Sequence, residues 1–475
     1  MNEGNPQSTE RGPGSTSRRG FLAGSLAAAT AAATTGLSTI PGLVSAASAA
    51  TRPNILVIVT DDQPKATQWA TQKTYDWIAE QGVRFTNAHC TTPLCAPSRS
   101  SIFSGRYAHN HGVRVNANPG NLGQNTTVQR YLTQAGYRTG LFGKYLNGWD
   151  INASPPHFEE WALLKPSYVD GTYNVNGTVQ TINGYTTNVL RNRTLSFLDR
   201  SATDTRPWFA YVAPYAPHGP NTPAAQYADT VVPEWNGRPA VHETDKSDKP
   251  PYVQNSTSTL ADGQAVRERQ LRTLLSVDDA VQAFRDKLVA LGQLENTLVF
   301  YVPDNGYLWG DHGRVAKSVP YTPAHELPFY VSWPGGGLGS GTVDNRIVGH
   351  IDIAPTILDA AGITPNTPQN GFSLLSSSSR DHILTEFWKK GTAAGGVPTW
   401  ASYVSTTRQY VEYYDLHANA SGAQVGTGQV LFREYYDLAN DPGQLVNLLY
   451  NATPAQEQAL GIPALAAQLT ADRAA

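Results

Sequence analysis

The feature that most constrains the fold is a set of apolar, β-branched runs that alternate with helical patterns. The first run, 54–60, reads Asn-Ile-Leu-Val-Ile-Val-Thr, which is typical of a strand buried on both faces. Similar runs occur at 139–142, 208–212, 297–302 and 328–333. Helical patterns lie between them, at 126–135, 190–199 and 267–291. This order predicts an α/β fold with a large, mostly parallel central sheet and helices on both faces.

The charge balance and the cysteine count exclude some classes of protein. The 475 residues include 35 basic and 38 acidic side chains, a formal net charge of −3. Nucleic-acid binding would need a strongly basic domain, and the sequence contains none. The two cysteines cannot cross-link a chain of this size, so an ordinary hydrophobic core must stabilise it. We therefore expect a large globular enzyme without a nucleic-acid partner.

The first 49 residues have the features of a targeting signal. A charged start is followed by an apolar, Ala-rich stretch and by small residues at 45–50 that resemble a cleavage site. The pair Arg18 and Arg19 is typical of twin-arginine signals. The alternative is a disordered or membrane-anchored N-terminus, but Thr and Gly dilute the apolar stretch. The sequence predicts a secreted or periplasmic protein, exported by the twin-arginine translocase, without a stable membrane anchor.

The remaining chain divides into two predicted parts. Residues 50–380 form the predicted catalytic domain, in which the segments 150–185 and 220–262 are interpreted as substrate-selecting loops. Residues 381–475 form a smaller α+β portion, with strands expected at 403–411 and 429–437. The chain ends in a helical pattern over 454–472, interrupted at Gly461-Ile462-Pro463.

Polar side chains follow four of the predicted strands. Asp61 and Asp62 follow the first strand, and Asp304 and Asn305 follow the strand at 297–302. Because sites in parallel sheets form at the carboxyl ends of the strands, we expect these groups to meet. Their oxygens suit Ca²⁺ or Mg²⁺ better than zinc, although any one Asp could instead cap a helix or form a turn. Two further strands contribute a cation and an imidazole to the same edge, Lys144 and His218.

A candidate nucleophile lies in the segment 93–106. Pro97 is tolerated in a first helical turn, which places Cys95 at a helix N-terminus, where a thiol pKa is lowered. Arg99 could reach an anion held there. Two alternatives remain open, a buried structural cysteine and a local disulfide with Cys90.

This segment closely resembles the signature of type I sulfatases, which is C-x-P-S-R followed by a T-G-R-like element. The matching residues are Cys95-Ala96-Pro97-Ser98-Arg99 and Ser104-Gly105-Arg106. Further matching motifs lie at 52–62, 105–112, 143–147, 216–218, 303–306, 350–356 and 435–448. The resemblance implies the fold of the alkaline phosphatase-like superfamily. It also implies conversion of Cys95 to formylglycine by a formylglycine-generating enzyme, and hydrolysis of sulfate monoesters of sugars or aryl alcohols through a covalent sulfo-enzyme.

The resemblance also implies roles for individual residues. Asp61, Asp62, Asp304 and Asn305 would bind one Ca²⁺ ion, with the converted Cys95 facing it. Arg99, Lys144 and Lys317 would bind the diol and the sulfate oxygens. His218 would act as the general acid on the leaving oxygen.

Two positions depart from the family pattern. Leu146 stands where many members have a second catalytic histidine, and the Gly143–Asn147 motif instead resembles the branch that contains glucosamine-6-sulfatases. Thr322 stands where a carboxylate is usual, and Glu326 could replace it. These departures leave two other functions open, a phosphonate-monoester or phosphodiester hydrolase and a non-catalytic binder of sulfated glycans.

Overall fold

The computed structural model describes residues 52–392 and 396–475. Ten strands form the central sheet in the order β10-β2-β9-β8-β1-β7-β3-β4-β5-β6. Their bounds are β1 (Asn54–Thr60), β2 (Val83–His89), β3 (Arg138–Gly143), β4 (Glu160–Leu164), β5 (Val169–Val175), β6 (Thr178–Tyr185), β7 (Trp208–Ala213), β8 (Thr297–Pro303), β9 (Tyr330–Ser332) and β10 (Thr342–Gly349). The five strands from β8 to β4 are parallel, whereas β9 and β5 pair antiparallel with their neighbours. The predicted mostly parallel sheet is confirmed.

Strand β1 shows why the predicted core strands are apolar throughout. Ile55, Val57 and Val59 belong to the hydrophobic core on one side of the sheet. Leu56 and Ile58 belong to the core on the other side. Successive side chains of a strand point to opposite faces, so a strand covered on both faces must be apolar at every position.

Helices cover both faces of the sheet, as predicted. Their bounds are α1 (Gln72–Thr74), α2 (Cys95–Ser104), α3 (Ala108–His111), α4 (Val128–Gln134), α5 (Thr186–Ala202), α6 (Pro251–Gln254), α7 (Leu260–Ala290), α8 (Thr322–His325), α9 (Ile353–Ala360), α10 (Pro454–Ala459) and α11 (Ile462–Asp472). Helices α5 and α7 contribute to one core, and α2, α4 and α9 contribute to the other. The longest helix, α7, begins at a capping box formed by Thr259 and Asp262.

A second, four-stranded antiparallel sheet follows, as expected for the smaller C-terminal portion. Its strands are β11 (Ile383–Phe387), β12 (Thr399–Val404), β13 (Arg408–Ala418) and β14 (Gln424–Asp437). The prediction of one strand over 403–411 is wrong, because the chain reverses between β12 and β13. The Ser405 hydroxyl accepts a hydrogen bond from the Arg408 amide at 3.1 Å, which stabilises this turn.

The two predicted substrate loops differ from each other in the structure. Residues 160–185 are strands β4–β6, which extend the central sheet, so the interpretation of this part as a loop is wrong. Residues 214–259 contain only short helical turns, as a long excursion should. The predicted targeting signal, 1–49, lies outside the described residues, and the domain boundary at residue 380 stays a prediction. Within the described ranges, none of the helices combines the length and apolar character needed to cross a bilayer.

Four buried histidines make the stability sensitive to acid. Burial lowers the pKa of His111 and of His350 to about 3 and that of His325 to about 4, and it lowers the pKa of His89 well below its usual value. In the unfolded chain, imidazoles titrate at about pH 6.5. Below that pH the unfolded state binds more protons, so the free energy of unfolding falls by up to about 1.4 kcal/mol per pH unit for each imidazole.

Urea unfolding at pH 7.5, 6.5 and 5.5 measures this effect, since most carboxylates do not titrate in this interval. His382 acts in the opposite direction. Burial opposes its protonation, but Asp472 and Asp381 outweigh burial and raise its pKa. His157, whose pKa burial also lowers, acts with the four buried histidines. Five imidazoles against one predict a net loss of stability toward pH 5.5, and a midpoint that stays constant over the series would contradict it.

Candidate active site

The acidic side chains predicted at the strand ends lie together. Asp61 and Asp62 follow β1, and Asp304 and Asn305 follow β8, its parallel neighbour. The Asp62 amide donates to Asp304 Oδ1 at 3.1 Å, and Asn305 Nδ2 donates to Asp62 Oδ1 at 2.7 Å. All four residues are buried. Three carboxylates this close in a buried site require compensating positive charge.

Cys95 is the first residue of α2 and faces these carboxylates. Its Sγ lies 3.5 Å from Asp61 Oδ1 and 2.9 Å from the Nζ of Lys317, and the residue is 1% exposed. Cys90 and Cys95 are both free, so the alternative of a local disulfide is wrong. The expectation of a lowered thiol pKa is also wrong. Burial raises the pKa of Cys95 to about 12, because it outweighs the opposing effects of Lys144 and Lys317.

Two buried cations pair with the carboxylates. Arg99 Nε donates to Asp304 Oδ2 at 2.8 Å, and its Nη2 lies 3.6 Å from Asp61 Oδ2 without a hydrogen-bond partner among the described residues. Lys144, which follows β3, forms an ion pair with Asp61. Burial alone would raise the pKa of Asp61, but Lys144 and Arg99 outweigh it and hold that pKa well below its usual range.

Lys317 and His218 complete the site on its more open side. Lys317 pairs with Asp62 and is 15% exposed, while His218 Nε2 lies 3.7 Å from Asp62 Oδ2 and is 30% exposed. Burial favours a neutral Lys317 amine, but Asp62 and Cys95 outweigh it and raise its pKa well above the usual value. The Tyr215 ring stacks on the His218 ring with centroids 4.8 Å apart.

Every residue predicted for the site therefore lies within one cluster. The sequence did not predict Tyr215, whose ring stacks on the His218 imidazole. The only signal for Tyr215 was its position three residues before His218. His218 Nδ1 lies 2.8 Å from the Gly219 carbonyl oxygen, which orients the imidazole so that Nε2 faces Asp62.

The donor set fits a hard cation. Single donor atoms of Asp61, Asp62, Cys95 and His218 all lie within 4.8 Å of one another. Asp304 and Asn305 adjoin this group through their hydrogen bonds with Asp62, which gives three carboxylates and one amide beside the thiol and the imidazole. Asn305 Oδ1 is buried and accepts no hydrogen bond from the described residues, as an oxygen reserved for a ligand would. Carboxylate and amide oxygens are the ligands of Ca²⁺ and Mg²⁺.

The positions that depart from the family pattern have other partners. Leu146 packs into the core. The Thr322 amide donates to Gln444 Oε1 at 2.8 Å. Glu326 forms an ion pair with Lys65 at 2.5 Å, so the idea that Glu326 replaces the missing carboxylate beside Lys317 is not supported.

The sulfatase family model matches residues 53–363, which include all of the site residues above. The chain belongs to the sulfatase family. It is 31% identical to the human N-acetylglucosamine-6-sulfatase over 87% of this chain and 84% of that protein. It is 35% identical to an extracellular sulfatase Sulf-1 homologue of Caenorhabditis elegans, over 68% of this chain.

The chain spans about half of that Caenorhabditis sulfatase, 48% of its length. Among solved structures, BT4656 in complex with D-glucosamine-2-N,6-O-disulfate superposes with a TM-score of 0.75. The match covers 88% of this chain and 97% of BT4656 at 21% identity, and so it bears on the fold. These relatives place this sulfatase near the N-acetylglucosamine-6-sulfatase branch, in agreement with the motif at 143–147.

Proposed function

We propose that this sulfatase hydrolyses sulfate monoesters of sugars, with 6-sulfated glucosamine residues as the substrate class. The observation that carries the proposal is the position of Cys95, whose Sγ lies between the Asp61 carboxylate and the Lys317 amine. Two further buried cations, Arg99 and Lys144, form ion pairs with the same Asp61 carboxylate. The sugar class follows from the N-acetylglucosamine-6-sulfatase relative, which matches over most of both chains.

Two groups complete the proposed site. A formylglycine made from Cys95 would supply, in its hydrated form, the hydroxyl nucleophile for a reaction through a covalent sulfo-enzyme. Asp61, Asp62, Asp304 and Asn305 would hold a Ca²⁺ ion, which would supply Lewis acidity and neutralise negative charge. The buried, unpartnered oxygen of Asn305 supports this ligand set.

The side chains of this chain would bind the substrate and move its proton. Arg99 Nη2, buried without a partner among the described residues, is placed to donate to a sulfate oxygen. Lys144 and Lys317 would exchange their contacts with Asp61 and Asp62 for contacts with the sulfate. His218 Nε2, on the more exposed side of the site, would donate a proton to the leaving sugar oxygen.

We further propose export to the cell exterior or periplasm. The extracellular relative and the predicted twin-arginine signal at 1–49 support it. Maturation would then involve a formylglycine-generating enzyme and the twin-arginine translocase.

The test is substrate preference in protein matured by a formylglycine-generating host. We expect kcat/KM for N-acetylglucosamine 6-sulfate and for an aryl sulfate to exceed that for the matching aryl phosphonate by about 100-fold or more. Sulfate monoesters and phosphonate monoesters are both monoanions, so charge does not distinguish them, and the expectation rests on the sulfatase relative that matches over most of both chains. A preference for the phosphonate would assign the site to phosphonate hydrolysis instead. Tight binding of a sulfated glycan without turnover would identify a binding protein.

A further inference from the structure

The segment that follows Lys317 has an unusual backbone conformation. Residues 314–321 lie outside any helix or strand, and Ser318 has φ = +71°, in the left-handed region that residues with a Cβ rarely adopt. Such a conformation persists where surrounding contacts impose it. The direction in which Lys317 leaves the backbone therefore depends on what holds Ser318 and its neighbours.

The contacts that hold residues 318–320 come from the four-stranded sheet β11–β14, here called the C-terminal sheet. Trp400 Nε1, from β12, donates to the Ser318 carbonyl oxygen at 3.0 Å. Gln409 Nε2, from β13, donates to the Pro320 carbonyl oxygen at 2.7 Å. Each of these bonds joins residues more than 80 positions apart in the chain.

Strand β14 of the same sheet holds Tyr321, the residue after Pro320. Tyr321 OH donates to Glu434 Oε1 of β14 at 3.0 Å. Glu434 is fully buried and accepts two further hydroxyls, from Tyr413 at 2.6 Å and from Tyr436 at 2.7 Å. A buried carboxylate with three hydroxyl donors has little freedom to move, because loss of any donor leaves it less solvated.

We propose that the C-terminal sheet positions Lys317 for the reaction, through a clasp formed by Trp400, Gln409 and Glu434 on the backbone and side chain of residues 318–321. These are positioning residues, since none of them contacts Cys95 directly in the hydrogen bonds of the described chain. The same sheet also packs against Leu94, the residue before Cys95. It thus fixes the two segments that bring the Lys317 amine and the Cys95 sulfur to 2.9 Å.

This positioning role rests on the proposed function. It predicts that a substitution in the clasp lowers kcat/KM only while Lys317 is present, which a merely structural role would not produce. Trp400→Phe removes the donor to Ser318 and retains an aromatic ring. We expect kcat/KM for an aryl sulfate to fall by about 10-fold, because small displacements of a positioned group reduce the rate steeply. In a Lys317→Met background the same substitution should change kcat/KM by less than about 2-fold, since residues that act through one group are not additive.

Trp388→Phe is the matched control. Trp388 is 4% exposed, and its Nε1 donates to Gln424 Oε1 at 3.3 Å, away from residues 318–321. We expect it to lower the melting temperature about as much as Trp400→Phe, while its effect on kcat/KM remains small. Equal effects of the two substitutions on kcat/KM, or full additivity of Trp400→Phe with Lys317→Met, would overturn the proposal.

A second measurement does not depend on activity. Hydrogen exchange of the peptide covering 314–322 should become about 10-fold faster in Trp400→Phe and stay unchanged in Trp388→Phe. Faster exchange in Trp400→Phe, together with a wild-type protein that lacks sulfatase activity, would support the clasp and contradict the proposed reaction. Unchanged exchange in Trp400→Phe would reject the clasp whatever the activity.

Discussion

Cys95→Ala should abolish sulfate ester hydrolysis, lowering kcat/KM for an aryl sulfate by about 10⁵-fold, as expected when the nucleophile of a covalent mechanism is removed. Alanine has no side-chain atom that can be converted to an aldehyde. The cations Arg99, Lys144 and Lys317 retain their other partners in the variant, because each also pairs with a carboxylate. Substrate binding should therefore survive better than turnover.

Cys90→Ala provides the matched control. Cys90 is as deeply buried as Cys95, and its Sγ lies 3.8 Å from the Ala324 carbonyl oxygen rather than in the cluster of charges. We expect this variant to lose about 1 kcal/mol of stability from the truncated side chain and to retain its activity within about 3-fold.

The mass of the Cys95 peptide, measured in wild-type protein from a maturing host, completes this test. An aldehyde in place of the thiol is the expected result. Full activity in Cys95→Ala would contradict the proposed nucleophile, and an unconverted thiol in an active enzyme would do the same.

The core strands could be predicted from the sequence because their burial is two-sided. β1 was predicted with its observed bounds, and the runs at 208–212 and 297–302 lie within β7 and β8. β2 and β10 are mixed in burial, so their sequences lack a continuous apolar run. β6 is mostly exposed and carries no apolar pattern at all. β10 pairs with β2, a strand far away in the sequence, and local patterns do not record such pairing. β6 pairs with its sequence neighbour β5, so exposure of its side chains is what removes the apolar signal.

The site could be predicted for a related reason. The carboxyl ends of parallel strands meet at one edge, so polar residues after β1, β3 and β8 had to approach one another. The pairing within that edge, such as Lys144 with Asp61, depends on side-chain geometry that the sequence does not contain. The contacts of β12–β14 with residues 318–321 are less predictable still, since they depend on how a second sheet packs.

The raised pKa of Cys95 shows the limit of motif reasoning. A helix N-terminus and two lysines both favour the thiolate, but complete burial opposes it more strongly. Burial is a tertiary property and is not visible in the segment 93–106. A thiol with a pKa of about 12 is almost fully protonated near neutral pH and would itself be a weak nucleophile.

Removal of Ca²⁺ should reduce the activity by about 100-fold or more, and added Ca²⁺ should restore it. Asp61 and Asp62 pair with Lys144 and Lys317 in the structure. A divalent cation at these carboxylates would release both amines for the sulfate, so activity and metal binding are coupled. Dialysis against a chelator, followed by assays with added Ca²⁺ or Mg²⁺, measures the effect and its selectivity.

Ca²⁺ binding should also raise the melting temperature, because a ligand at 100 times its Kd stabilises the folded state by about 2.7 kcal/mol. Asp304→Asn should largely remove this stabilisation, since the loss of one carboxylate charge weakens Ca²⁺ binding by about 100-fold. Asp278→Asn is the matched control. It removes a buried carboxylate on α7 that accepts hydrogen bonds from Thr74, away from the strand ends.

The control variant Asp278→Asn should be less stable than the wild type, but Ca²⁺ should raise its melting temperature by the same amount. Loss of the response in both variants would indicate general destabilisation instead of a metal site. An Asp304→Asn variant with an unchanged Ca²⁺ response, or wild-type activity that resists the chelator, would exclude the proposed ligand set. Equal restoration by Mg²⁺ would keep the site and reject the assignment of Ca²⁺, because the oxygen ligands themselves accept either ion.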